Sequence, residues 1–412
     1  MNRDSARPSR RSLRWALFAS LLWSAALSGR SIAQSTPPAT VAPVARTVDF
    51  SAPEPRAALL AEFDALRRRA AVPGASVAVM RDGAIVLAAG LGVRRMGDET
   101  AVGPDTRFQA GSISKPVAAV GALRSVAAGT LALDRDVDEQ LASFALPDSP
   151  LRRGKPITLR GLLSHTAGLS VHGFRGYLGD EPVPELLDIL EGVPPANSPP
   201  IVVELEPGTK WKYSGGGYTV MQQLLVDVTE RDFAELLDET VLAPAGMTRS
   251  TYAQPLPPDL RDDFASGHSS LPPKPVPGEA PTMPELAAAG LWTTPSDLLR
   301  FGLALQRSLA GAEGSLLPKA LMAEALQPAL DGDYGLGFQL FRDSGLPLFG
   351  HGGANVGFRA LLIFRQDRAE GFALMTNADG GDGLLGPARA RLFEALGWEP
   401  PKPPAAPAGA GR

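Results

Sequence analysis

The stretch Phe108-Gln109-Ala110-Gly111-Ser112-Ile113-Ser114-Lys115-Pro116 opens a run with helical spacing, Val117–Ala128, and contains a Ser-x-x-Lys pair at Ser112 and Lys115. Three residues apart on a helix, two side chains share one face, so the lysine amine can reach the serine hydroxyl with no histidine between them. A serine hydroxyl hardly ionises at neutral pH and needs a base. A lysine becomes one where burial or neighbouring cations disfavour its charge. A helix beginning at Ser112 would add free N–H groups able to stabilise a developing oxyanion. The same residues also fit a capping serine followed by a surface lysine, and Pro116 is comfortable only within a first helical turn.

Two segments further along the chain bear on that choice. Trp211-Lys212-Tyr213-Ser214-Gly215-Gly216-Gly217-Tyr218 leads into the helical run Thr219–Val228. Its three glycines allow a backbone to approach a cleft closely and place Tyr213, a candidate proton shuttle beside Lys115 and Lys212, just before a helix. A packed aromatic with a satisfied hydroxyl is the alternative for Tyr213. Gly350-His351-Gly352-Gly353-Ala354-Asn355-Val356-Gly357-Phe358 precedes the apolar run Ala360–Phe364. Small residues at Gly215, Gly352, Gly353 and Asn355 would let a substrate lie against a strand edge, and a backbone N–H from the 350–358 segment would complete an oxyanion hole with that of Ser112. His351, set among glycines, reads equally as a surface residue.

Outward from these motifs, periodicity sets the fold. Ala75–Met80 and Ala84–Ala89 are apolar runs joined by Arg81-Asp82-Gly83, a hairpin signal, and Ala57–Ala70 before them has helical spacing of Leu59, Leu60, Phe63 and Leu66. Ala360–Phe364 and Phe372–Met375 form a second strand pair, and Ala388–Leu396 reads as a closing helix. Between about Pro116 and Leu309 the chain alternates helical patches with loops rich in Pro and Gly. The simplest assembly is an α/β fold of the α+β kind, its terminal strands in one mainly antiparallel sheet, flanked by helices and set beside a helical region.

Composition bounds the function. The chain has 412 residues, 44% of them apolar, enough for a substantial core. Residues 1–33 read as an export signal: Arg10, Arg11 and Arg14, then the apolar run Trp15–Leu27, then Ser31-Ile32-Ala33 before a cleavage point. That run is too short to span a bilayer. Ser9-Arg10-Arg11-Ser12-Leu13 also resembles a twin-arginine signal. Residues 34–56 read as a linker rich in Pro and Ala, 57–398 as the catalytic domain and 399–412 as a second Pro/Ala-rich tail. The first 33 residues hold six Arg and one Asp, so the mature chain sets 34 basic groups against 43 acidic ones, a net of −9 that argues against a nucleic-acid partner. With no Cys there is neither a disulfide nor a thiol nucleophile. His165, His172, His268 and His351 lack metal-ligand spacing, so no metal or other cofactor is expected.

Together the three motifs resemble the serine β-lactamase and penicillin-binding-protein superfamily, most closely its class C-type branch of lactamases, D-peptidases and esterases. Further likeness lies in Leu162-Leu163-Ser164-His165-Thr166-Ala167-Gly168-Leu169, in Ala288-Ala289-Gly290-Leu291-Trp292-Thr293-Thr294 and in Tyr334-Gly335-Leu336-Gly337-Phe338, so that it spans about Ala57 to Trp398. The resemblance implies a β-lactamase/transpeptidase-like fold with a cleft between sheet and helices. Within it Ser112 would be the acylated nucleophile, Lys115 its base, Tyr213 the second acid/base, His351 the occupant of a cationic position, and Ala354 the second oxyanion donor. His165 is expected to have a structural hydrogen-bonding role. Two departures stand out. Tyr213-Ser214-Gly215 replaces the branch's Tyr-x-Asn, and His351-Gly352-Gly353 replaces its Lys-Thr-Gly, losing a permanent cation and a hydroxyl that hold a substrate carboxylate. The expectation is an exported hydrolase acting on small esters, amides or D-amino-acid peptides, with a β-lactamase or a slowly deacylating penicillin sensor as the alternative.

Overall fold

In the computed structural model, which describes residues 47–398, the helix α1 (Pro53–Arg69) leads into the strands β1 (Gly74–Arg81) and β2 (Ala84–Gly92). The short strand β3 (Phe108–Gln109) and a 3₁₀ turn at Gly111–Ile113 precede α2 (Ser114–Ala127). The middle of the chain supplies α3 (Leu159–Ser164), α4 (Leu186–Glu191), α5 (Gly215–Thr229) and α6 (Phe233–Leu237). After two-residue strands β4 (His268–Ser269) and β5 (Lys274–Pro275) come α7 (Leu286–Ala289), β6 (Trp292–Thr293), α8 (Pro295–Ala310) and α9 (Lys319–Ala325). The chain closes with β7 (Gln339–Phe341), β8 (Leu348–Asn355), β9 (Phe358–Arg365), β10 (Gly371–Thr376) and α10 (Asp382–Leu396).

The first hairpin turns at Asp82 and Gly83, both with positive φ, the geometry that an Asp-Gly pair favours between twisted strands. Its strands join the C-terminal ones in one six-stranded sheet of order β2-β1-β10-β9-β8-β7, antiparallel throughout. The central strands are buried on both faces, which is why they read as continuous apolar runs rather than alternating ones. On one face Val77, Val79, Phe372 and Leu374 pack against Leu59 and Phe63 of α1 and Leu392 and Phe393 of α10. On the other, Ala78, Met80, Ala373 and Met375 join Leu298 and Phe301 of α8 in a larger core that continues into α2, α3 and α5 through Val117, Val120, Leu162 and Leu224.

Two boundaries differ from the expectation. The first helix starts at Pro53, and Val48 and Phe50, read as linker, pack with Trp398 at the sheet's outer face, Val48 donating to the Ala395 carbonyl at 3.0 Å. Their apolar side chains were diluted by the Pro and Ala around them. The segment read as a glycine-rich lead-in at 350–355 is itself strand β8, held by pairing with β9. Residues 1–33, read as an export signal, most of the segment read as a linker and the 399–412 tail lie outside the described residues. No helix among the described residues is long and apolar enough to cross a membrane.

Candidate active site

Ser112 lies in the 3₁₀ turn that feeds α2, and Lys115 lies in the first turn of that helix. The amine of Lys115 is 3.3 Å from the Ser112 hydroxyl and donates to the Ala288 carbonyl of α7 at 2.8 Å. Lys115 is 2% exposed, and among the described residues no carboxylate pairs with it, which excludes the surface-lysine reading. Pro116 is tolerated because its missing N–H falls where a helix start has no intrahelical acceptor. The neighbouring serines are engaged elsewhere. Ser114 donates to the Gly111 carbonyl at 2.6 Å and accepts from the Leu291 N–H, while Ser214 caps α5 by accepting from the Gly217 N–H and donates to the Ser170 carbonyl.

Two glycines let the sheet edge meet this turn. Gly111 has φ +52°, and a Cβ there would stand 2.6 Å from the Ala354 nitrogen; a Cβ on Gly353 would stand 2.1 Å from the Ala110 carbonyl oxygen. No residue with a side chain fits either place without displacing β8 from Ser112. The backbone of Ala354 is thereby held beside the nucleophile's turn. Beyond Gly350, β8 has no β7 partner, so His351–Asn355 form an open strand edge. A cleft of about 820 Å³ runs along it, lined by Ser112, His172, Trp211, Tyr213, His351, Gly352, Gly353 and Ala354 among others.

Tyr213 reaches this cleft from the segment before α5, with its ring 4.9 Å from the Lys115 amine. His165 fixes that segment. It ends α3 in a left-handed conformation, φ 60°; its carbonyl accepts from the Lys212 N–H at 2.9 Å, and its Nδ1 accepts from the Ser214 N–H at 3.1 Å. Its ring lies 4.3 Å from that of Tyr213, and burial together with nearby Lys115 holds its pKa well below the ordinary value, so it stays a neutral acceptor. The expected structural role of His165 thus falls on the backbone either side of Tyr213.

His351 departs most from expectation. It is 5% exposed, not a surface residue, and burial, aided by Lys115 and opposed by the Gly352 carbonyl, pushes its pKa down to about 4. Nδ1 hydrogen-bonds the Gly352 carbonyl oxygen, and Nε2 lies 3.0 Å from the Tyr334 hydroxyl. A neutral imidazole therefore occupies the place where the resemblance suggested a cation. The cations lining the cleft are already paired: Lys212 with Glu204, Arg359 with Asp379, and Arg389 with Asp343.

Gly215 and Asn355 do not line the cleft. Gly215 donates to the His172 carbonyl at 3.0 Å within the start of α5. The Asn355 amide points inward to Gln109 Oε1 at 2.7 Å and the Ala289 carbonyl at 3.1 Å, tying β8 to the strand before Ser112 and to α7. Sequence reading assigned no role to Trp211, Tyr334 or Gln339, which line a side lobe of the cleft; the two aromatics sat in motifs it had quoted. Among the described residues no cluster of His, Asp or Glu could hold a metal ion.

The profile of the Beta-lactamase family matches residues 58–396. The chain belongs to the beta-lactamase family. Among its relatives in that family, penicillin-binding protein 4 of Amycolatopsis lactamdurans is 29% identical over 76% of this chain and 83% of its own length. A D-aminopeptidase of Gluconobacter oxydans is 27% identical over 74% of this chain, and the match spans 55% of that enzyme. The D-amino acid amidase of Ochrobactrum anthropi SV3 shares the fold, with a TM-score of 0.68 at 21% identity over 83% of this chain and 98% of the amidase. The chain is a beta-lactamase-fold enzyme whose relatives include hydrolases, and the family's antiparallel sheet flanked by helices is the one described above.

Proposed function

We propose that this chain is an exported serine hydrolase that forms an acyl-Ser112 intermediate on esters or amides, D-amino-acid amides among them, and that it does not require a carboxylate on the substrate. The observation that carries the reading is the buried Lys115 amine 3.3 Å from the Ser112 hydroxyl, beside the open stretch of β8. Ser112 Oγ attacks the substrate carbonyl carbon as its proton passes to the Lys115 amine. The backbone N–H groups of Ser112 and Ala354 stabilise the oxyanion. Tyr213 passes the proton to the departing oxygen or nitrogen as its bond to the carbonyl carbon breaks. Water then attacks the acyl-serine, giving up its proton through the same pair, and the acid leaves with Ser112 restored.

Neutral substrates are favoured because His351 carries no charge at neutral pH and the other cations of the cleft hold carboxylates of the protein. The D-aminopeptidase and amidase relatives support acyl transfer from amides as much as from esters. The signal-like segment 1–33 supports export, with a mature chain beginning near Gln34. Steady turnover of a panel of aryl esters, D-amino-acid amides and a chromogenic cephalosporin tests the reading: ester or amide turnover is expected to exceed that of the cephalosporin. A burst of product with no turnover on any of them would show a slowly deacylating sensor instead.

A further inference from the structure

A lobe of about 410 Å³ opens off the cleft behind Tyr213. Four rings wall it: Trp211, Tyr213, Tyr334 and His351, with successive ring centroids 5.7 to 6.3 Å apart. Trp211 is 43% exposed here, whereas Trp292 and Trp398 are buried. The one charged wall residue, Asp333, is paired with Arg342 at 3.1 Å. The surroundings suit an uncharged ring with offset or edge-on contacts.

We propose that this lobe binds a neutral aromatic group on the leaving side of the substrate. The assignment to the leaving side rests on the acyl-Ser112 reading. Tyr213 hands a proton to the departing atom, so the leaving group must lie against Tyr213, and the lobe is the space beyond it. Ala354, the oxyanion donor, lies three residues further along β8 from His351, which places the acyl portion over Gly353 and Ala354 instead. For a benzyl ester, the bond from Ser112 Oγ to the carbonyl carbon forms and the bond from that carbon to the benzyloxy oxygen breaks. The Ser112 proton ends on that oxygen, releasing benzyl alcohol. Water then frees the acid.

Methyl and benzyl esters of one carboxylic acid test this, because methanol and benzyl alcohol are leaving groups of similar basicity and differ mainly by the ring. Burying a phenyl ring should raise kcat/KM for the benzyl ester about ten- to a hundred-fold over the methyl ester. In Trp211→Ala that ratio should fall about ten-fold, and in Trp211→Phe most of it should return. Equal rates for the two esters in the wild type, with turnover abolished by Ser112→Ala, would overturn the lobe while leaving the acyl-Ser112 reading intact. Turnover that persists in Ser112→Ala would overturn the reading itself, and the leaving-side assignment with it. Titrating benzyl alcohol into Ser112→Ala protein gives a readout free of turnover: the emission of Trp211 should shift and saturate, and an unchanged spectrum would count against the lobe. A choline ester preferred over the benzyl ester, with the preference lost in Trp211→Ala, would show a cation in the lobe and refute a neutral occupant.

Discussion

Glu285 is fully buried immediately before α7, and among the described residues neither of its carboxyl oxygens has a hydrogen-bond partner. Burial raises its pKa from 4.5 to about 7. The folded value lies above the unfolded one, so folding favours the protonated acid. The stability this gives is fully present below the unfolded value of 4.5, declines as pH rises towards the folded value of about 7, and is gone above it. At about 1.4 kcal/mol per pKa unit, the whole decline amounts to about 3 kcal/mol. Glu285→Gln keeps the shape of the side chain and removes the titration. Urea unfolding of both proteins at pH 5 and pH 8 should show the wild type losing most of that, about 2–3 kcal/mol, more than the variant between the two, because pH 5 already lies above the unfolded value. His165, His268 and His351 titrate equally in both proteins, so the comparison isolates Glu285. A wild-type-minus-variant difference that is flat between pH 5 and pH 8 would refute the buried, unpartnered acid.

The proposed chemistry makes three further predictions. Lys115→Ala and Tyr213→Phe should each slow acylation by about 10²–10⁴-fold in single-turnover measurements, the range for general acid–base groups, and unchanged rates would return both residues to packing roles. His165→Gly keeps the left-handed backbone but loses the acceptor for the Ser214 N–H, so kcat should drop about ten-fold with little change in KM. His165→Asn, whose Oδ1 occupies nearly the place of Nδ1, should recover most of it, and a failure to recover would deny the clamp on Tyr213. His351→Lys should raise the cephalosporin-to-aryl-ester ratio of kcat/KM at pH 7.5 at least ten-fold by restoring a cation for the carboxylate; an unchanged ratio would show that His351 does not set this preference.

The sheet was largely legible because its strands carry their own signals. Ala75–Met80 and Phe372–Met375 are apolar without interruption since both of their faces are buried, and Asp82-Gly83 declares its turn. The spacing of Ser112 and Lys115 was legible for the same local reason, one helical face. Residues 350–355 were not, because glycines carry no β pattern and become strand only by pairing with Phe358–Ile363, close in sequence but not periodic with them. The protonation of His351 was out of reach as well: its pKa is set by burial against Tyr334 and Lys115, which only the fold brings near. Asn355 read as a cleft residue because its motif is; the pleat turned its amide inward to Gln109 instead. Glu285 and the Trp211 lobe depend wholly on tertiary neighbours, and no local pattern marks them.

The central claim is the nucleophile, and covalent labelling addresses it most directly. A fluorophosphonate should add a single group to the wild-type protein, peptide mapping should place it on Ser112, and Ser112→Ala should take up none. The hydroxyls of Ser114 and Ser214 are held by the Gly111 and Ser170 carbonyls, and neither should react. A label found on Ser114 or Ser214, or undiminished labelling of Ser112→Ala, would contradict the account.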